Sequence, residues 1–228
     1  MIQEYLEFAK KHPELFENEH AMLKLEMNPD IIATWRETRR KMFSEEKLPP
    51  EWADIGIILN DRYILILRDL VEFPNGSRGS YFRIINQADL RGGQGVVVLA
   101  EKDEKFLLLH QYRHPTRSWS YEIPRGFGEP GVKAEEQAKN EIREEVGGEI
   151  EELVDLGIYH SNTGLEGNKV KLFYAKLKSV GKPALDEGIE SILWVSSSEL
   201  ERMIANADIT DGFTIAAYTR AKLRQLLK

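Results

Sequence analysis

Three glutamates in the middle of the chain have the spacing needed to bind a metal ion together. Glu141, Glu144 and Glu145 stand three and four residues apart, so on a helix their carboxylates share one face. Like charges at this spacing repel by about 0.2–0.5 kcal/mol per pair in an isolated helix. A hard divalent cation, which prefers oxygen ligands, would turn that repulsion into attraction. The alternative interpretation is a solvated acidic helix face.

A loop rich in glycine and proline precedes this segment and favours the metal site. Gly126, Gly128, Pro130 and Gly131 lie so close together that the interior of a strand or helix is excluded there. A helix is predicted to begin near Lys133 and to end at the next pair of consecutive glycines, where a left-handed cap is least costly. The sequence therefore predicts a backbone loop that leads directly into an acidic helix.

Loop and helix together resemble the Nudix box, whose pattern is Gly-x5-Glu-x7-Arg-Glu-aliphatic-x-Glu-Glu-x-Gly-aliphatic. Gly126 takes the position of the first glycine, and the Glu-aliphatic-x-Glu-Glu-x-Gly core matches without a gap from Glu141 to Gly147. The chain departs from the pattern at the loop glutamate, the arginine and the last aliphatic residue, which are Val132, Asn140 and Gly148. The resemblance implies that the metal-binding glutamates are intact.

Two of these departures are interpreted as linked. In the family, the loop glutamate and the arginine brace the loop against the helix, and here Val132 and Asn140 replace them. Losing both charges leaves neither one unpaired, which is the less costly way to lose such a pair. We therefore interpret the segment as a working box whose loop is braced in a different way.

The residues in front of the box resemble the ADP-ribose pyrophosphatase branch of the family. The run Gln111–Arg113 is similar to a Gln-Tyr/Phe-Arg strand end of that branch. The run Glu122–Gly126 is similar to its Glu-hydrophobic-Pro-Ala-Gly turn, with Arg125 in place of the usual alanine. The resemblance covers roughly residues 54–228 and does not include residues 1–48.

This resemblance implies a metal-dependent pyrophosphohydrolase that cleaves a nucleoside diphosphate linked to another group, with ADP-ribose or a sugar nucleotide as the expected substrate. It implies Mg²⁺ or Mn²⁺ on Glu141, Glu144, Glu145 and the backbone carbonyl of Arg125. Such ions polarise phosphoryl oxygens and lower the pKa of a bound water. Glu144 is also predicted as a catalytic residue.

Further residues are predicted to bind substrate or to act as the general base. Arg113 is expected to pair with phosphate, because a guanidinium offers a planar fork of donors. Arg125, Glu122 and Glu166 are predicted as additional substrate-binding residues. In this branch the base usually comes from an acid on a late loop, and Glu187 is preferred among the three acids there, Asp186, Glu187 and Glu190.

Composition excludes several other classes of protein. The 228 residues carry a net charge of −7, so an overall basic surface for nucleic acid is absent. The chain has no cysteine, which excludes disulfides and cysteine-ligated zinc. The N-terminus lacks the features of a signal peptide, and no apolar run approaches the ~20 residues of a membrane span. A cytoplasmic protein without a membrane partner is expected.

The order of helical and strand-like segments predicts an α+β protein. The expected fold is a Nudix α/β/α sandwich with an N-terminal β subdomain and a helical N-terminal extension. The expected division is residues 1–50 for the extension, 51–90 for the β subdomain and 91–228 for the Nudix domain. The ADP-ribose branch commonly pairs through the β subdomain, so a homodimer is predicted, with Tyr81 and Phe82 as candidates to flank the base.

Three alternatives remain open at this point. Within enzymes, the substrate could be a nucleoside triphosphate, because the residues that contact the base lie outside the box. The departures from the box allow a module that binds a nucleotide without hydrolysing it. Residues 1–48 could instead carry the function as a helical interaction segment. A zinc site formed by His110, His114 and His160 is disfavoured, because four-residue spacing at a strand end does not converge.

Overall fold

The computed structural model describes residues 1–227 and divides into two compact units. The first unit contains residues 1–87 together with residues 162–167, and the second contains residues 88–161 together with the chain from residue 168 onwards. None of the helices formed by residues 1–227 combines the length and the hydropathy that crossing a bilayer requires.

The first unit joins two helices to a small antiparallel sheet. Its elements, in chain order, are α1 (Ile2–Lys11), β1 (Lys24–Leu25), α2 (Pro29–Glu45), β2 (Gly56–Asn60), β3 (Ile64–Glu72) and β4 (Arg78–Asn86). The long strand β3 pairs with the other three strands. Asn28 caps α2, because its Oδ1 accepts a hydrogen bond from the Asp30 amide at 2.9 Å.

The N-terminal segment is less uniformly helical than the sequence pattern predicts. Lys24 and Leu25 add a short strand opposite the end of β3. The Asn18 side chain fixes the backbone of Leu25 through hydrogen bonds to both its amide and its carbonyl. An asparagine that bonds to a neighbouring backbone in this way offers the chain an alternative to helix, which periodicity does not reveal.

The second unit contains one mixed sheet and three main helices. The four-residue helix α3 (Gln87–Leu90) leads into it from the first unit. The remaining elements, in chain order, are β5 (Gly95–Lys102), β6 (Lys105–Arg113), β7 (Ser118–Glu122), β8 (Arg125–Gly126), α4 (Ala134–Val146), β9 (Glu149–Tyr159), β10 (Val170–Ser179), β11 (Ile189–Val195), α5 (Ser197–Ala205) and α6 (Gly212–Leu223). The strand order is β11-β6-β5-β10-β9, with β7 beside β6 and β8 beside β5.

Helices cover both faces of this sheet. Alternate residues of β5 point to opposite faces, so Val98 packs in the cluster that contains Ile142 of α4, and Leu99 packs with Tyr218 of α6. The predicted α/β/α sandwich within an α+β protein is confirmed. Gly147 ends α4 with φ at +59°, the left-handed cap that the sequence predicts.

A buried hydrogen-bond network connects α1 to the sheet of the first unit. The Tyr5 hydroxyl donates to Asp69 Oδ1 at 2.6 Å, and the Arg83 guanidinium donates to both oxygens of the same carboxylate. Asp69 is 1% exposed, so its charge depends on these partners. Burial, together with the charge of Asp69, raises the pKa of Tyr5, which therefore stays neutral and acts as a donor.

We expect Asp69→Ala to cost about 3 kcal/mol of the free energy of unfolding, because it leaves the Arg83 charge without its carboxylate. Tyr5→Phe removes one bond to a charged group and should cost about 1.5 kcal/mol. Urea denaturation of both variants measures the two values. A larger loss in Tyr5→Phe than in Asp69→Ala would contradict the role assigned to the carboxylate.

Candidate active site

Helix α4 places two buried carboxylates one turn apart. Glu141 is 7% exposed and Glu145 is 2% exposed, whereas Glu144 on the same helix is exposed. Glu145 Oε2 accepts a hydrogen bond from the backbone amide of Arg125 at 3.0 Å. Glu141 Oε1 accepts one from Gln137 Nε2 at 2.7 Å. The pair is therefore oriented by the loop on one side and by its own helix on the other.

The loop in front of the helix lies so close to this pair that a side chain at Gly126 would displace the carboxylate of Glu141. A Cβ atom built on Gly126 would lie 2.1 Å from Glu141 Oε1, which is less than any real contact. A Cβ atom on Gly128 would lie 1.9 Å from the backbone nitrogen of Gln94, so the loop also packs closely against the backbone at Gln94. The short strand β8 fixes the loop further by pairing with Val96 and Val97 of β5.

Burial raises the pKa of both carboxyls, and the charges of neighbouring acids add to the effect. Desolvation raises the pKa of Glu145 to about 8, and the charge of Glu141 adds to the effect. Desolvation likewise raises the pKa of Glu141 to about 7. The charge of Glu187 acts on both groups in the same direction. Two buried carboxyls one helical turn apart suit a hard divalent cation, because the cation would compensate the negative charges that burial makes unfavourable.

Two arginines next to the pair are held by other acids. Arg113 Nη2 donates to Glu122 Oε2 at 2.5 Å, and Arg125 Nη2 donates to the same oxygen at 2.6 Å. Burial alone would raise the pKa of Glu122, but these two guanidinium groups hold it below its usual range. Arg125 also pairs with Asp211 at 3.4 Å and stacks over Phe213, with its Cζ 4.8 Å from the ring centroid.

A short loop before β11 brings a third acid towards the pair. Gln111 Nε2 donates to the Glu187 carbonyl at 2.9 Å, and the Tyr112 amide donates to the Gly188 carbonyl at 3.0 Å. Both bonds hold the single 3₁₀ turn Leu185–Glu187 against the end of β6. The Glu187 side chain is exposed, and its charge contributes to the raised pKa of both buried carboxyls.

The comparison with protein families decides the identity of this arrangement. Residues 89–213, more than half of the chain, match the sequence profile described as the NUDIX domain. The chain belongs to the Nudix family. The family assignment expected from the box is therefore confirmed, and the protein is a Nudix hydrolase.

Relatives of this Nudix protein agree with the branch expected from the sequence. The ADP-ribose pyrophosphatase of Bacillus subtilis (strain 168) is 27% identical over 175 residues, 75% of this chain and 91% of the relative. The methanol dehydrogenase activator of Bacillus methanolicus is 27% identical over 191 residues, 82% of this chain and 98% of the relative. A crystal structure described as an ADP compounds hydrolase has a TM-score of 0.65 at 19% identity and covers 76% of this chain and 92% of its own, which shows the shared fold.

The predicted Nudix site residues other than Glu166 belong to the second unit. Glu166 is different, because it belongs to the first unit, where it forms a bridge with Ile84 of β4. Among the alternative bases, Glu190 pairs with His110 Nδ1 at 2.7 Å and Asp186 is exposed. Within residues 1–227, the three acids and histidines that approach one another closely enough to share a metal ion are Glu17, Glu19 and His20, all exposed and in the first unit.

Two residues that position the Nudix site, Gln137 and Asp211, are not among those that the sequence predicts, and neither is the contact made by Gln111. Gln137 lies four residues before Glu141 and could have been found by helical spacing alone. Asp211 caps α6, because its Oδ2 accepts a hydrogen bond from the Thr214 amide at 2.8 Å; an aspartate just before a helical segment is the sequence signal for such a cap. The contact of Gln111 with the base loop depends on tertiary structure, and no local pattern indicates it.

The raised pKa values predict how stability depends on pH. Because the folded pKa values of about 7 and about 8 exceed the unfolded value of 4.5, the folded protein binds more protons in this range. The melting temperature in EDTA should therefore fall as the pH rises from 6 to 8.5. Mn²⁺ should raise the melting temperature more at pH 8.5 than at pH 6, because it binds the ionised form.

Glu145→Gln should flatten this pH dependence in EDTA, and Glu135→Gln on an exposed part of the same helix should leave it unchanged. Differential scanning calorimetry at both pH values measures the effect. An equal slope in wild type and Glu145→Gln would show that the buried pair does not carry the linkage.

Proposed function

We propose that the protein is a divalent-metal-dependent pyrophosphohydrolase whose substrate is a nucleoside diphosphate linked to another group, with ADP-ribose or a sugar nucleotide as the preferred class. The products would be two phosphate-bearing compounds. The observation that carries the proposal is the buried pair Glu141 and Glu145, held against the Gly126 backbone. The ADP-ribose pyrophosphatase and the ADP compounds hydrolase among the similar proteins support the substrate class.

Mg²⁺ or Mn²⁺ is the cofactor proposed for this site. Glu141, Glu145 and the backbone carbonyl of Arg125 would hold the ion, and the exposed Glu144 would complete the ligands from the solvent side. The set consists of oxygen donors alone, which is the chemistry that these hard ions select. When bound, the ion would polarise the phosphoryl oxygens and lower the pKa of a water.

The surrounding side chains have separate roles in the proposed reaction. Arg113, whose side chain is 28% exposed, would pair with the anionic diphosphate, and Glu122 would hold its guanidinium in place. Arg125 and Glu166 stay predictions as substrate-binding residues. Glu187 would accept the proton of the attacking water. The effect of its charge on the pKa of both buried carboxyls supports this role. Glu144 would contribute to catalysis through the metal.

The remaining features of the proposal follow from the sequence. The substrate is a small nucleotide, the net charge of −7 argues against nucleic acid as a partner, and a cytoplasmic location without a membrane partner is proposed. The division at residues 50 and 90 stays a prediction, which truncation before Pro50 would test by whether the remaining chain keeps its activity. The alternative functions are hydrolysis of nucleoside triphosphates and nucleotide sensing without hydrolysis, which Val132 and Asn140 in the box allow.

A hydrolysis screen over ADP-ribose, sugar nucleotides, dinucleoside polyphosphates and nucleoside triphosphates tests the function. We expect the highest kcat/KM on ADP-ribose or a sugar nucleotide in Mg²⁺ or Mn²⁺ and none in EDTA. Glu145→Gln keeps the shape of the side chain but loses the charge, so its kcat/KM should fall about 100-fold or more. Glu135→Gln is the matched control.

Full activity in EDTA, or turnover of Glu145→Gln within about threefold of wild type, would contradict the metal assignment. Preference for triphosphates would favour the alternative substrate. Nucleotide binding without phosphate release in either metal would favour the sensing module.

We also propose that the protein is a homodimer in which the N-terminal β subdomain of the partner completes the site. Light scattering at micromolar concentration should give about twice the chain mass of 26.2 kDa. Tyr81 and Phe82 are about 40% exposed on β4 and are the candidates to flank the base.

Mixing Glu145→Gln chains with Tyr81→Ala/Phe82→Ala chains should recover activity, because one hybrid site is intact. A monomeric mass with full activity would contradict the shared site.

A further inference from the structure

A buried glutamine on α4 connects the loop of the box to one of its carboxylates. Gln137 is 3% exposed, and its Nε2 donates to Glu141 Oε1 at 2.7 Å. Its Oε1 accepts a hydrogen bond from the backbone amide of Glu129 in the loop at 3.4 Å. One side chain thus contacts both the loop and the carboxylate that the loop must face.

The two residues that would form a charged brace in the Nudix box do not perform this task here. Val132 has no polar side-chain atom, and its backbone amide bonds within the loop to the Glu129 carbonyl at 3.1 Å. Asn140 Oδ1 accepts a bond from Arg143 on the outer side of the helix at 3.0 Å. At Glu129 the loop is therefore joined to the helix by Gln137, in addition to the bond that Glu145 accepts from the Arg125 amide.

We propose that Gln137 is a positioning residue that replaces the missing charged brace and holds Glu141 in the orientation that binds the metal. The inference rests on the proposed function, because it assigns Glu141 as a metal ligand. A neutral amide suits this position, since a second cation beside Glu141 would compete with the metal ion. The amide occupies one acceptor site of the carboxylate and leaves the others for the ion.

The two contacts restrict Glu141 from opposite directions. The carboxylate lies against Gly126, where a Cβ atom would collide with it, and Gln137 donates a hydrogen bond to Oε1 from within the helix. Partners that orient a metal ligand in this way typically contribute 10–100-fold to metal affinity. The expected consequence of losing Gln137 is weaker metal binding rather than loss of the fold.

The test compares Gln137→Met with Gln3→Met. Methionine keeps the approximate length of the side chain and removes both hydrogen bonds. Gln3 makes the same kind of bond, from its Nε2 to Glu7 Oε1 four residues on at 3.1 Å, but on the exposed surface of α1. Mn²⁺ binding is measured by electron paramagnetic resonance. The values of kcat and KM are measured with the preferred substrate, and the melting temperature is measured in EDTA.

We expect the Kd of Mn²⁺ to rise about 10–100-fold in Gln137→Met and to stay unchanged in Gln3→Met. At saturating Mn²⁺, kcat should fall while KM for the nucleotide stays within about twofold, because Gln137 acts through Glu141. Gln137→Ala adds no bulk and favours the helix, so it serves the same test if the methionine variant does not fold.

Restoring the charged brace separates a positioning role from general destabilisation. In the Gln137→Met background, the double change Val132→Glu with Asn140→Arg should lower the Kd of Mn²⁺ at least about tenfold. In wild type the same double change should alter this Kd less than about threefold. Equal effects in both backgrounds, or a Kd of Gln137→Met within about twofold of wild type, would overturn the proposal. Because Mn²⁺ binding is measured without substrate, a wild type that binds Mn²⁺ tightly but hydrolyses nothing would contradict the proposed function alone.

Discussion

The site depends on keeping two carboxylates close together in a part of the protein that water hardly reaches. Glu141 and Glu145 repel each other and resist ionisation, so they are unfavourable to the fold at neutral pH unless a cation joins them. The apolar face of α4, packed on the sheet through Ile142, supplies the hydrophobic stabilisation that offsets this cost. The loop then fixes the direction of both side chains with one backbone amide and one glycine.

The arginines near the pair explain why it stays available for a metal ion. A guanidinium bonded directly to Glu145 would neutralise it and occupy its oxygens. Instead, Arg113 and Arg125 share the buried carboxylate of Glu122, and Arg125 is held again by Asp211. The positive charge is thereby kept beside the site without entering it, in a position suited to an anionic substrate.

The sequence was sufficient for the parts of the site that follow from local spacing. The box predicted α4, its glycine cap and the three glutamates on one helix. The limits of prediction were tertiary: Asp186, Glu187 and Glu190 lie within five residues, and spacing alone does not tell which of them faces the helix. In the folded chain the side chain of Glu190 pairs with His110 beside β11. Glu187 lies in the turn before this strand, and its charge acts on Glu145.

The departures from the box at Val132 and Asn140 were the observations that favoured a module without catalysis. In the structure these two uncharged residues form no charged contact, but Glu145 accepts a bond from the Arg125 amide and Glu141 accepts one from Gln137. Both carboxylates are therefore oriented without a charged pair at these two positions. Two buried acids are costly to a fold, and groups whose pKa is raised in this way cluster at functional sites, which favours the metal site over a solvated acidic helix face.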